Sequence, residues 1–91
     1  MDSTFIQTIE DALGRYRQAT AQVADAQARE DYLRLVAITE KFVISLRAGD
    51  LATAKMNALG FSRQASDSYS PQPPEFKPLA QLIAEAKKRL I

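Results

Sequence analysis

Cysteine and histidine are both missing from this 91-residue chain. Without cysteine there is no disulfide staple and no thiolate to act as nucleophile or ligand. Without histidine the commonest metal ligand and neutral-pH general base are gone as well. Charge is almost balanced: twelve basic against eleven acidic side chains leave +1. That balance supplies no long-range field to draw the protein toward nucleic acid or an anionic membrane, so a nucleic-acid partner is disfavoured. The longest unbroken apolar run, Leu35 to Ile38, falls far short of the roughly 20 residues that a spanning helix needs. The opening Met1-Asp2-Ser3-Thr4 has no basic region followed by an apolar core, the pattern of a secretory signal. The expectation is a soluble, cytoplasmic protein with no membrane partner, no cofactor and no enzymatic activity.

What is present is apolar surface at helical spacing. From Tyr32 to Leu46 the chain reads YLRLVAITEKFVISL, with charges only at Arg34, Glu40 and Lys41. A helix apolar on nearly every side must be covered by other helices or by a second copy of the protein. Two candidate covers are legible. Ile9, Leu13, Tyr16, Thr20 and Val23 step by four, three, four and three, and so do Phe76, Leu79, Ile83, Ala86 and Leu90 in the order three, four, three and four. Each set makes one seam on one side of a helix.

Punctuation divides the rest. Ser3 or Thr4 can cap the first helix, Gly49 suits a left-handed C-terminus, and Asp50 an N-cap for a third, alanine-rich helix. Gly60 can end that helix or bend it. Gly14 inside the first helix costs about 1 kcal/mol relative to alanine, unless it admits a close neighbour. Serines then lead into Pro71-Gln72-Pro73-Pro74, an extended connector, and Pro78 is tolerable in the first turn of the last helix. Residues 24–31 hold neither glycine nor proline, so a single long rod competes with a hairpin. Extending the first seam lands on Gln27, Glu30 and Arg34, all polar, which favours a turn near Asp25.

Chemistry-bearing patterns have plain structural readings. Glu10-Asp11 and Glu30-Asp31 are adjacent acids whose side chains diverge by about 100° on a helix. Arg15 and Arg34, four residues after Asp11 and Glu30, mark these as solvated faces with i,i+4 pairs. Lys87-Lys88-Arg89 complements the dipole at a helix C-terminus. Pro71 to Pro74 matches the PxxP spacing of polyproline ligands, yet a connector before a helix accounts for it. Ser66 and Ser70 sit as kinase-accessible serines would, in a polar loop. Gly49-Asp50-Leu51 with Ala54, Ala58 and Phe61 resembles the turn and second helix of a tetratricopeptide unit over about a dozen positions, without the repeat of roughly 34 residues that defines that family.

These readings converge on an all-α chain. The expected fold is a small antiparallel bundle of three to four helices, at about 4–24, 27–48, 51–66 and 75–90, in one domain over residues 1–91, with the proline-containing connector at about 68–74. The expected function is a protein–protein interaction module working through helical surfaces: a small adaptor, regulator, inhibitor or chaperone. Its partner is another protein or a second copy in a homodimer, the alternatives being a nucleic-acid-associated regulator or a subunit of a larger assembly. Interface candidates are the aromatics Tyr16, Tyr32, Phe42 and Phe76 and the seam residues Leu35, Leu79 and Ile83.

Overall fold

The computed structural model describes residues 1–69 and 71–90, so Ser70 and Ile91 lie outside the described residues. Four α-helices are formed: α1 (Ser3–Ala21), α2 (Ala26–Ala48), α3 (Leu51–Asp67) and α4 (Phe76–Arg89). Three of them start at an aspartate. Asp2 accepts a hydrogen bond from the backbone N–H of Thr4, Asp25 from Ala28, and Asp50 from both the N–H and the hydroxyl of Thr53. Each carboxylate takes over N–H groups that the helix itself leaves unpaired. Asp2, rather than Ser3 or Thr4, is thus the cap of α1. α4 has no side-chain cap. Instead the Phe76 N–H returns to the Pro73 carbonyl, and Pro78 carries no N–H to satisfy.

α1 and α2 form a hairpin, not a rod. α1 stops at Ala21, three residues short of the expected end, because Val23 turns in toward the core and its carbonyl is taken by the Arg29 guanidinium at 2.8 Å. Asp25 then starts a new helix whose apolar phase is rotated from the first. α2 closes at Gly49 with φ +73°, where the N–H groups of Gly49 and Asp50 bond back to Leu46 and Ser45. This double bond-back needs a left-handed residue, which glycine supplies without a Cβ clash. Gly60 neither ends nor breaks α3. A Cβ there would meet only Ile38, at 4.0 Å.

Cross-helix contacts fix the directions. Glu10 and Arg17 of α1 pair with Arg47 and Glu40 of α2, so the two run antiparallel. Asn57 of α3 donates to the Ser45 hydroxyl of α2, and Phe5 and Tyr16 of α1 meet Arg89 and Phe76 of α4. The helices stand in a ring in which α1 touches α2 and α4, and α3 touches α2 and α4. The two sequence seams do face inward: Ile9, Tyr16, Leu79 and Ala86 are fully buried, in one core cluster with Leu35, Phe42 and Leu46 of α2. Gly14 admits no close neighbour: nothing lies within 4 Å of where its Cβ would stand.

Candidate interaction surface

One aromatic residue comes from each helix to the connector end of the bundle. Tyr32 of α2 lies 6.4 Å from Tyr16 of α1, Tyr16 lies 6.0 Å from Phe76 of α4, and Phe76 stacks on Phe61 of α3 at 5.9 Å. Such tilted and offset contacts suit the ring quadrupole. The proline connector crosses this end and is tied to it. The Tyr32 hydroxyl donates to the Pro71 carbonyl at 2.7 Å and the Tyr16 hydroxyl to Gln72 Oε1 at 2.9 Å, while the Tyr69 N–H donates to Asp31. The PxxP segment is therefore the clasp of the bundle's own core.

Burial pushes the Tyr16 hydroxyl well above the ordinary phenol range, with Tyr32 beside it adding to the shift, and burial also raises Tyr32, with Tyr69 and Asp31 adding to it. They stay protonated donors at neutral pH. Asp50 moves the other way, its carboxyl held below the usual range by the two Thr53 hydrogen bonds.

This placement corrects the interface candidates. Tyr16, Tyr32, Leu35, Phe42 and Leu79 are buried against one another and against the other helices, so they build the core and offer no surface to a partner. Phe76 is half-buried within the aromatic row. Ile83 alone also lines an outer groove. The physical reason is that α1 and α3, the two neighbours of α2 in the ring, suffice with the shared core to enclose its bulky side. The paired acids likewise take structural roles: Glu10 pairs with Arg47, and Glu30 and Asp31 both reach Arg34. Asp11 accepts from Gln7 rather than from Arg15, contrary to the expected pair.

What remains outside is apolar surface on α2 and α3. Leu33 and Ile44 of α2 are exposed, as are Leu51, Met56 and Leu59 of α3, Met56 at 71% and Ile44 at 67%. Beside them runs a groove of about 360 Å³ between α3 and α4, lined by Phe61 and Ser62 from one helix and Ala80, Ile83, Ala84, Lys87 and Lys88 from the other. It exists because the flanking side chains are small. α3 meets α4 through far fewer residues than it meets α2, and Ser62, Ala80 and Ala84 do not fill the gap. On α3, Leu51, Lys55, Leu59 and Ser62 stand at successive turns of one flank.

The charges differ from seam to seam. Across α1 and α2, Arg17–Glu40 and Arg47–Glu10 bridge the surface beside a smaller depression of about 230 Å³. Across α3 and α4 no ion pair is present among the described residues. From Leu51 to Ser66 there is no acidic side chain at all, while Lys55 and Arg63 project from the helix. Of the three cations ending α4, Arg89 lies 4.1 Å over the Phe5 ring and pairs with Glu85. Lys87 and Lys88 have no such engagement and border the groove. Neither the groove nor the acid-free stretch was singled out from the sequence, although the second is visible there.

The chain matches no protein-family model, no curated protein and no solved structure. Among the described residues no helix is long and apolar enough to cross a membrane, and no cluster of three or more metal-ligating side chains is formed.

Proposed function

We propose that this chain is a small non-enzymatic interaction module of the cytoplasm, which recognises another protein through the outer side of α3 and α4. The observation that carries this reading is the groove with Leu51 and Leu59 exposed on its α3 flank, at 46% and 48%. Contiguous exposed apolar surface beside a groove is the common mark of a protein-binding site.

The test is affinity capture from the native host with the full chain and with a Leu59→Glu variant, after circular dichroism has shown equal helix content. A protein retained by the parent chain and lost with the variant supports the reading. Identical sets of captured proteins, or none, would overturn it.

Self-association is the second reading, favoured by Leu33 and Ile44 standing exposed on α2 and Met56 on α3. Light scattering across a concentration series decides it. A dimer that Ile44→Glu or Met56→Glu dissociates supports this reading, and a monomer at high micromolar concentration removes it.

A further inference from the structure

We propose that the occupant of the α3–α4 groove is an acidic amphipathic helix of a partner protein, its apolar side chains seated between the two helices and its carboxylates on Lys55, Lys87 and Lys88. The inference rests on the interaction reading above and adds the chemistry of the partner.

Three observations combine. The floor is apolar, with Phe61, Ile83, Ala80 and Ala84, and the exposed Leu59 and Leu51 stand on the preceding turns of α3, on the same flank as Ser62. The groove is open to solvent along its length, so it would leave an isolated acyl chain half-wetted, whereas a helix laid in it keeps its own polar face outside. The border is basic and unopposed. Lys55 stands seven residues before Ser62 on the same flank, Lys87 and Lys88 line the opposite side, and none has an ion pair among the described residues.

Helix-end solvation does not account for this arrangement. The dipole of α4 favours cations in its last turn, but Arg89 already serves there and turns away to Phe5 and Glu85. Lys87 is half-buried, with its stem along the groove. A lysine stem on apolar surface with a free ammonium at the edge presents charge to whatever sits on that surface. A nucleic-acid backbone would satisfy the lysines yet bring nothing to cover the apolar floor. An acidic amphipathic helix satisfies both, and the complementarity sets its orientation and association rate.

The experiment uses the full chain and two fluorescein-labelled synthetic helices. Both carry leucines at i, i+4 and i+7; one is flanked by glutamates, the other by lysines. Anisotropy titrations should show the glutamate peptide binding and weakening with salt, and the lysine peptide not binding. Lys87→Glu with Lys88→Glu should weaken the glutamate peptide by roughly tenfold or more. Ala84→Trp, which fills the groove from an exposed position, should abolish binding, and Lys41→Glu on α2 should change nothing.

Equal binding of both peptides, no binding of either, or indifference to the lysine reversals would overturn the proposal. So would a single-stranded oligonucleotide that binds in place of the peptide, or a dimer that Ala84→Trp dissociates. A host protein lost with Leu59→Glu but retained by the lysine reversals would sink the acidic-helix inference while leaving the interaction reading standing.

Discussion

The seam between α1 and α2 and the seam between α3 and α4 are built from the same kind of helix and end differently. In the first, large side chains such as Leu13, Tyr16, Val36 and Val43 pack inside, and two arginine–glutamate pairs bridge the outside beside a smaller depression of about 230 Å³. In the second, Ser62, Ala80 and Ala84 leave a groove, and lysines border it with no acidic side chain among its described lining residues. Side-chain volume and charge placement, not helix propensity, therefore distinguish a finished seam from an open one.

The contrast is broken most severely in the core. Phe42→Ala, at a side chain only 1% exposed, should cost about 3–5 kcal/mol in urea unfolding. Ala84→Leu, in the open seam, should stay within about 0.5 kcal/mol of the parent, because it sits at the surface and fills space already empty. If the two changes cost the same, the groove between α3 and α4 is packed as tightly as the core.

The clasp at the aromatic end comes next. Tyr16→Phe removes the hydroxyl that holds Gln72 and should destabilise by about 1–2 kcal/mol at neutral pH. The same substitution tests the sign of the pH dependence. The hydroxyls of Tyr16 and Tyr32 are raised by burial, so the fold prefers their protonated forms. Their contribution is complete below the unfolded value of about 10 and is lost as pH rises above it toward the folded values. Urea midpoints at pH 9 and pH 11 should fall further apart for the parent than for Tyr16→Phe. Parallel shifts in the two proteins would refute the buried-phenol account.

Smaller effects sharpen the comparison. Gly14→Ala should stabilise by about 0.5–1 kcal/mol, since no neighbour contests the added methyl, as thermal unfolding would show. Glu40→Gln should cost about 0–1 kcal/mol and less at high salt, because Arg17 and Glu40 are each about half exposed. Greater salt sensitivity in the variant than in the parent would contradict the pair's role.

Much of the fold is legible in the sequence alone. The stepping of Ile9 to Val23 and of Phe76 to Leu90 identifies two inward seams, and both are found inward. Gly49 and Asp50 mark the α2–α3 turn through local conformational demands that no distant contact alters. The hairpin near Asp25 was favoured by a change of apolar phase, but its early start at Gln22 was not visible, because Arg29 reaching the Val23 carbonyl is a contact between segments. The candidate interaction surface is the least legible part. Tyr16, Tyr32 and Phe42 are as aromatic as any binding anchor, and their spacing cannot distinguish a neighbouring helix from a foreign one.

Helix positions, the phase of the seams and the caps follow from residues a few places apart, where backbone geometry and side-chain period act locally. Which apolar residues are covered, which tyrosines clasp the Pro71–Pro74 connector, and where a groove opens between Ser62 and Ala84 depend on volumes meeting across more than one helix. Burial is a property of the assembled ring: Leu35 and Ile44 stand on one helix among equally apolar neighbours, and only the placement of α1, α3 and α4 makes the first core and the second surface.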